Sequence, residues 1–417
     1  MKDAVMNQYD VAIVGGFGHI GLPLGLVFAQ ADNNVLLYDT NTKIYPTIAA
    51  GKMPFHENGA QEILERVLGK QLFLSVDPAD LAKAHFIVIV IGTPVDEHLN
   101  PQFTLFKQLF DQLLPYLHEG QHIILRSTVF PGSTQKIQDY LISKGKKISV
   151  SFCPERIAQG HAIQELHQLP QIISSCDQAA LPEVKKLFAQ LTDSIIELSC
   201  LEAELAKLFT NSWRYIQFAT ANQFYQIAQQ NNVDFYTIYN AMTQNYPRTQ
   251  GFPKAGFAAG PCLFKDTMQL AAYANNNFFL GHAAMLINEG MPNFIVEELK
   301  KRNKLHTKTV GILGMAFKAD NDDHRESLAY KLKKILELEA GKVICSDEYI
   351  KDSRFVTKEQ LLAQADIVII GAPHKVYQDL ILSEGKELIN VWSAQKYTQL
   401  CYPEMYSEVS PSIRLFT

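Results

Sequence analysis

Gly260-Pro261-Cys262-Leu263-Phe264-Lys265-Asp266 places a thiol, an ammonium and a carboxylate within about one helical turn. Six cysteines stand at 153, 176, 200, 262, 345 and 401, and five of them read as small core residues. Cys262 differs because it sits in a Gly/Pro-rich loop at a predicted helix start, with Lys265 close by. A helix N-terminus and a neighbouring cation both favour the thiolate, so Cys262 is a candidate nucleophile with a lowered pKa. Asp266 is available as a base or an orienting group. A structural loop cysteine is the alternative.

A second pattern lies near the N-terminus. Gly16-Phe17-Gly18-His19-Ile20-Gly21 follows the apolar run Val11–Val14, and Asp39 comes 18 residues after Gly21 at the end of another apolar run. A lone GxGxxG is weak. One that follows a predicted strand, opens a predicted helix and is trailed by an acidic residue at a strand end has the context of a dinucleotide fingerprint. The glycines permit the tight turn and the approach of backbone to a pyrophosphate, and the helix N-terminus offers free N–H groups. Asp39 would accept hydrogen bonds from ribose hydroxyls and repel a 2′-phosphate, which favours NAD over NADP. A nucleophilic cysteine beside an NAD site points to aldehyde oxidation through a thioester.

Three further strand ends carry polar residues. They are Gly92-Thr93-Pro94, Ser127-Thr128-Val129-Phe130-Pro131-Gly132 and Pro154-Glu155-Arg156. Loops at the carboxyl ends of parallel strands line one ligand crevice, so Thr93, Thr128, Glu155 and Arg156 are candidates for it. Lys207, Asn211 and Arg214, spaced i, i+4 and i+7, share a face of a predicted helix with Glu204. That face is either functional or simply solvated. Gly314-Met315-Ala316-Phe317-Lys318-Ala319-Asp320 and the following Asp322-Asp323-His324-Arg325-Glu326-Ser327 form another strand-to-helix turn. There Lys318 and Arg325 could hold a phosphate. The turn lacks GxGxxG, so a second dinucleotide is not required.

The elements that position these residues are legible from periodicity. In the first 200 residues, short β-branched runs at Val11–Val14, Val35–Tyr38, Phe86–Ile91, His122–Leu125, Ile148–Phe152 and Gln171–Ser174 alternate with amphipathic stretches. That rhythm predicts a doubly wound parallel α/β sheet. Residues 201–232 contain neither Gly nor Pro and predict one long helix. Further helical pattern covers roughly 265–302, after a loop through NYPRTQGFPKAGFAAGPC. The α/β rhythm returns at Thr309–Leu313, Lys342–Cys345, Asp366–Ile370 and Glu387–Val391. A faint repeat relates VLLYD, ending at Asp39, to VICSD, ending at Asp347. The expected organisation is therefore an N-terminal Rossmann domain (1–200), a helical middle (201–305) and a Rossmann-like C-terminal domain (306–417).

Composition sets the limits. The 417 residues suit two or three domains, and 47% hydrophobic against 19% charged residues suits a folded chain. A net charge of −5 argues against nonspecific nucleic-acid binding. No run of 18 apolar residues occurs, and the first residues do not resemble a signal peptide, so no membrane association is expected. Sparse cysteines without a CxxC pair fit a reducing cytoplasm and argue against a metal site or a dithiol redox pair.

Taken together, GGFGHIGLPLG, STVFPGST, EAELAKLFTN, CLFKD and GMAFKADNDDHRES resemble, in order, the motifs of the UDP-glucose/GDP-mannose dehydrogenase family. The likeness runs from Val11 to about Trp392. Pro154-Glu155-Arg156 and the pair Asn211 and Arg214 look more like the branch acting on UDP-N-acetylhexosamines. The resemblance implies four-electron oxidation of a sugar C6 hydroxyl with NAD, through a thiohemiacetal and thioester on Cys262, for cell-surface polysaccharide precursors. It implies that Lys207 and Asn211 stabilise the oxyanion and that Asp266, Thr128 and Glu155 orient or activate water. Lys265 and Arg325 would lie near the cofactor. Glu155, Arg156, Arg214, Gly260 and Lys318 would lie near the UDP-sugar. Arg248 would reach the sugar of the neighbouring subunit in a homodimer built on the long helix.

One departure stands out. The family's Gly-x-Gly-Gly-x-Cys loop is here Phe257-Ala258-Ala259-Gly260-Pro261-Cys262. Three other activities fit parts of the pattern: a UDP-glucose 6-dehydrogenase, a two-electron hydroxyacid dehydrogenase and a non-catalytic NAD sensor. The last two would not need the Cys262–Lys265–Asp266 group.

Overall fold

The computed structural model describes residues 8–93 and 103–393. Pro94, Cys401 and the end of the predicted C-terminal domain lie outside the described residues.

Six parallel strands form the first sheet: β1 (Tyr9–Val14), β2 (Val35–Tyr38), β3 (Leu72–Ser75), β4 (Ala84–Ile89), β5 (His122–Leu125) and β6 (Ser149–Phe152). Their order is β3-β2-β1-β4-β5-β6, the doubly wound dinucleotide-binding order. Alternation along β1 sends Val11 and Ile13 into one apolar layer with Leu22, Phe28 and Leu64. Ala12 and Val14 enter the opposite layer with Phe106, Phe110 and Leu141. Both faces are covered, which explains the unbroken apolar runs.

Two strands differ from expectation. β3 was not anticipated, because an edge strand with two half-covered residues carries a weak apolar signal. Gln171–Ser174 was expected to extend the main sheet. Its Gln171–Ile173 part is instead β7, which pairs with β8 (Ile195–Glu197) in a separate two-stranded parallel sheet. An antiparallel bridge from Ser151 to Ser175 ties that small sheet to β6.

The long helix spans Cys200–Gln230, 31 residues, and a reciprocal capping box between Ser199 and Glu202 starts it. The pattern expected over 265–302 resolves into two helices, Leu263–Tyr273 and Phe279–Arg302. The break comes at Asn275 (φ 51°) and Asn276 (φ 60°), a left-handed conformation that asparagine tolerates better than other side chains. The helix Phe235–Thr243, capped by Asp234, was not anticipated. A second parallel sheet of β9 (Thr309–Leu313), β10 (Lys342–Ser346), β11 (Ile367–Ile370) and β12 (Glu387–Ile389) has the order β10-β9-β11-β12. The chain is thus an α/β protein with two Rossmann-like sheets flanking a helical middle.

Among the described cysteines, Cys153 and Cys345 are buried core residues as expected. Cys176 and Cys200 are only half-buried, and the register of β7 on β8 brings their sulfurs to 3.5 Å. The absence of CxxC spacing therefore did not exclude a thiol pair.

Arg126, 1% exposed at the end of β5, joins the strand ends. Its guanidinium donates to Glu155 Oε2 at 2.7 Å, the Cys153 carbonyl at 3.2 Å and Gln171 Oε1 at 3.1 Å. It also lies 5.1 Å from the Phe188 ring centroid. Arg126→Met should strand the buried Glu155 charge and cost about 3–5 kcal/mol, read as a lowered urea midpoint with an unchanged m value.

Candidate active site

The turn after β1 assigns a different task to each glycine. A Cβ on Gly16 would sit 2.8 Å from Leu37 Cβ, and one on Gly21 would sit 2.3 Å from the Gly15 carbonyl oxygen. Those two glycines permit close packing of turn and helix against the sheet. A Cβ on Gly18 would meet nothing nearer than 3.6 Å, so its face is open. Asp39 accepts from the Phe17 N–H at 3.1 Å and the Asn41 N–H at 2.9 Å, which sets its carboxylate beside the turn. An open glycine, a helix N-terminus and an acid at the β2 end fit a pyrophosphate and a ribose. His19 stacks tilted on Phe55 at 4.1 Å, and burial holds its pKa below the usual range.

The nucleophile candidate sits at the N-cap of Leu263–Tyr273, and the Asp266 N–H donates to the Cys262 carbonyl. Asp266 is fully buried. Its Oδ2 accepts from Asn211 Nδ2 at 2.6 Å and lies 3.5 Å from the Thr128 hydroxyl, while Oδ1 is 3.2 Å from Lys265 Nζ. Lys265 Nζ also donates to Thr93 Oγ1 at 2.9 Å. The predicted strand-end residues and the helix face therefore do converge. Lys207 is 9% exposed, and its ammonium has no hydrogen-bond partner among the described residues.

The lowered Cys262 pKa expected from helix and lysine is corrected. Cys262 is open to solvent, yet the protein crowded around it pushes the thiol up, and the Asp266 carboxylate adds to that. Lys207, Lys265 and Arg325 pull the other way, in that order of strength, without reversing it.

The loop after β9 closes over the nucleophile loop. The Gly260 N–H donates to the Glu326 carbonyl at 3.2 Å. Gly260 has φ +103°, and a Cβ there would lie 2.5 Å from Phe317 Cδ2, so this glycine of the altered loop is obligatory. Asn222 receives the Gly256 N–H at 2.8 Å and donates to Asn288 at 2.9 Å, anchoring the same loop to the long helix. Asp323 grips Arg325 through both oxygens, at 2.6 to 3.1 Å. Lys318 donates to the Gln159 carbonyl, and Gln159 Nε2 reaches Asp323 at 3.4 Å, which links the two Rossmann-like regions. Burial pushes the Lys318 pKa down, and the nearby Arg214 guanidinium adds to it. In the second sheet Asp347 occupies the place of Asp39. It is spent on the Met315 and Ala316 amides, at 2.6 and 3.0 Å, and on His374 at 3.2 Å.

Other expected site residues are committed elsewhere. Glu155 was expected to activate water, but its Oε2 pairs with Arg126 and its Oε1 accepts the Arg156 and Ile157 amides at 2.6 and 2.9 Å. It braces the β6 end. Arg156 donates to the Pro170 carbonyl and holds the neighbouring loop. Arg248 is exposed and rests on its neighbour Tyr246, bonding the hydroxyl at 3.0 Å. Arg214 is exposed. Glu204 accepts from the Gly132 and Thr134 amides and the Thr134 hydroxyl, so it locks the loop carrying Thr128. Asp323, Asn222 and Phe317 were missed as supports, since only their tertiary partners distinguish them from ordinary loop and helix residues.

Family models match nearly the whole chain. The NAD binding domain of the UDP-glucose/GDP-mannose dehydrogenase family covers residues 9–192, its central domain 201–290 and its UDP binding domain 311–397. The chain therefore belongs to the UDP-glucose/GDP-mannose dehydrogenase family. It is an NAD-dependent nucleotide-sugar dehydrogenase, with its NAD site in the first sheet. A curated relative, the UDP-N-acetyl-D-mannosamine dehydrogenase of Methanocaldococcus jannaschii, is 29% identical over 89% of this chain and 88% of its own. The solved UDP-D-ManNAc dehydrogenase of Pyrococcus horikoshii superposes with a TM-score of 0.82 at 27% identity, covering 89% of this chain and 90% of that one. A UDP-glucose dehydrogenase from Pyrobaculum islandicum shares the fold, with a TM-score of 0.85 at 24% identity over 95% and 96% of the two chains. Among the described residues, no helix is long and apolar enough to cross a membrane.

Two predictions follow from this geometry. Gly18→Ala should leave thermal stability nearly unchanged and weaken NAD binding about tenfold, whereas Gly21→Ala should destabilise the fold by about 1–3 kcal/mol. Calorimetric titration and thermal melts separate the two. For Cys262, iodoacetamide labelling followed by peptide mass should show a pH midpoint above the ordinary thiol range. Asp266→Asn removes a carboxylate that raises the thiol and should shift the midpoint down. Lys207→Ala removes the strongest lowering cation and should shift it up.

Proposed function

We propose that the chain oxidises the C6 hydroxymethyl group of a UDP-N-acetylhexosamine to the uronate, with a covalent intermediate on Cys262. The observation that carries this reading is Cys262 set one turn from a buried Asp266, with the unpartnered Lys207 acting on the thiol. The overall change is R–CH2OH + 2 NAD+ + H2O → R–COO− + 2 NADH + 3 H+. NAD supplies the hydride acceptor at each oxidation, held by the Gly18 turn, Asp39 and the strand-end residues Thr93 and Lys265. Cys262 adds as thiolate to the aldehyde carbon, giving a thiohemiacetal whose oxidation leaves a thioester. Water then cleaves the C–S bond and returns the thiol. Lys207 and Asn211 stabilise the oxyanion formed at each addition. Asp266, steadied by Asn211 and Lys265, orients the attacking water with Thr128 and takes up its proton. Glu155 is omitted from this role because Arg126 and two amides hold it.

Arg214 on the long helix is near enough to Lys318, in the loop after β9, to help lower its pKa, and the two cations suit the anionic substrate and its acetamido oxygen. The names of the relatives support the N-acetyl sugar. A homodimer through the long helix belongs to the same proposal. Phe209, Trp213, Phe224 and Ile227 are separated by about one or three helical turns, so they share a face, and all are exposed. In such a dimer Arg248 would be free to reach a sugar in the adjoining subunit. Cytoplasmic placement, a role in making cell-surface polysaccharide precursors and the division at 200 and 305 are parts of this proposal too.

A panel of UDP- and GDP-sugars tests it, counting NADH per sugar. An N-acetylhexosamine should give two NADH and exceed UDP-glucose in kcat/KM by about ten- to a hundredfold, because the bound sugar would cover Arg214, exposed in the free protein, and a donor covered but left unpaired costs ~1–3 kcal/mol. Arg214→Ala should narrow that gap, and Cys262→Ala should abolish two-NADH turnover while NAD still binds. Faster oxidation of UDP-glucose than of every N-acetylated sugar would overturn the substrate. Uronate production by Cys262→Ala would overturn the nucleophile.

A further inference from the structure

Cys176 and Cys200 lie outside the site described so far. β7 and β8 run parallel, with Ile173 opposite Glu197, and each cysteine follows its strand by three residues. The register therefore carries the two side chains to the same level, and their sulfurs stand 3.5 Å apart. Both are half-buried, so a small oxidant can reach them. Their backbones are anchored separately. The Cys176 N–H donates to the Val150 carbonyl at 3.0 Å, behind the Ser151–Ser175 bridge. Cys200 is the first residue of the long helix, directly after the Ser199 cap.

We propose that Cys176 and Cys200 are a reversible dithiol site, oxidised by a low-molecular-weight disulfide, whose closure resets the helix that carries the catalytic side chains. The Cys200 thiolate attacks one sulfur of glutathione disulfide, forming a mixed disulfide and releasing one glutathione thiolate. Cys176 loses its proton and attacks the Cys200 sulfur, which forms the internal S–S bond and expels the second glutathione. Two protein thiols are oxidised, one glutathione disulfide is reduced to two thiols, and both protons end on glutathione. Cys200 is suited to attack first, because it opens a helix and, although either sulfur can donate across the 3.5 Å contact, donation from Cys176 lowers the Cys200 pKa and raises that of Cys176.

Closing 3.5 Å to the ~2.05 Å of a disulfide brings the sulfurs about 1.5 Å closer, and whatever side-chain rotation does not supply falls as a pull on the two anchored segments. Glu204 is one turn beyond Cys200 and grips the Gly132 and Thr134 amides. That loop carries Thr128 toward Asp266, and the helix continues to Lys207 and Asn211. A pull on the first turn thus reaches the catalytic carboxylate through packed, hydrogen-bonded neighbours. Displacements of about 1 Å at a reacting centre can cost up to a hundredfold in rate.

The first arm uses Cys262→Ala protein, so that the nucleophile cannot interfere, equilibrated in glutathione buffers of increasing oxidation. Intact mass should fall by two hydrogens, and peptide mapping should link 176 to 200. Free thiols or glutathione adducts alone, through to a fully oxidised buffer, would overturn the site. The second arm compares the unmodified protein with Cys176→Ser and Cys200→Ser in the same buffers. Modification of Cys262 is common to all three. The unmodified protein should lose at least threefold more kcat than either variant, with NAD affinity unchanged and recovery on adding dithiothreitol. Equal losses in all three would overturn the switch. The first arm does not depend on the sugar assigned above, so its failure and that of the substrate assignment are distinguishable.

Discussion

A carboxylate that is fully out of water must be compensated, and Asp266 is that carboxylate. Asn211 reaches it from the long helix, Lys265 from the preceding residue and Thr128 from the loop after β5. Lys265 extends the network to Thr93 beyond β4. Four segments that are remote in sequence are thereby fixed relative to one another at the residue one turn from Cys262. The architecture around them follows from this demand. The long helix must lie across the strand ends, and the loop after β5 must be held for Thr128 to point inward, which is what Glu204 does from one helical turn before Lys207. Asp266 Oδ1 accepts no hydrogen bond and is compensated by the Lys265 ammonium at 3.2 Å, so the network is closed by an ion pair.

The two Rossmann-like sheets show how one motif diverges by the use of a single acid. Asp39 accepts from two amides, with an open Gly18 close by, whereas Asp347 is filled by four amides and His374. The second sheet has instead turned its first loop toward the nucleophile. Phe317 fills the space over Gly260, Glu326 accepts its N–H, and Lys318 binds back to Gln159 of the first region. Phe257 and Ala259, which stand at glycine positions of the family's loop before Cys262, are accommodated because the crowding falls on Gly256 and Gly260, against Trp392 and Phe317. Both of those remain glycine.

Much of this was legible in the sequence because it depends on local periodicity. Unbroken β-branched runs marked β1, β2, β4, β5 and β6, and strand–turn–helix context marked the fingerprint. What failed depends on tertiary partners. The run at Gln171 has the composition of a core strand, and only its pairing with β8 shows that it leaves the main sheet. Helical periodicity over 265–302 is continuous, yet two asparagines in left-handed conformation split it. Glu155 sits at a strand end like a catalytic acid, but Arg126, 29 residues away, claims it. Cys176 and Cys200 have no motif, since strand register rather than spacing joins them.

The thiol shows most directly how local rules and tertiary surroundings compete. Helix start and lysine both predict a lowered pKa, and the balance nevertheless goes upward because crowding and Asp266 outweigh three cations. The same carboxylate that joins these segments thus opposes ionisation of the Cys262 thiol. Lys207 is what offsets this most strongly. Lys207 is 9% exposed and its ammonium has no hydrogen-bond partner among the described residues, so a neutral side chain of similar length would pack there at no greater cost. On the reading proposed above, its use lies in charge that develops beside it, on the Cys262 thiolate and on the oxyanion formed at each addition. Stability and catalysis would then be opposed at Lys207, and Lys207→Met should raise the thermal midpoint while slowing two-NADH turnover.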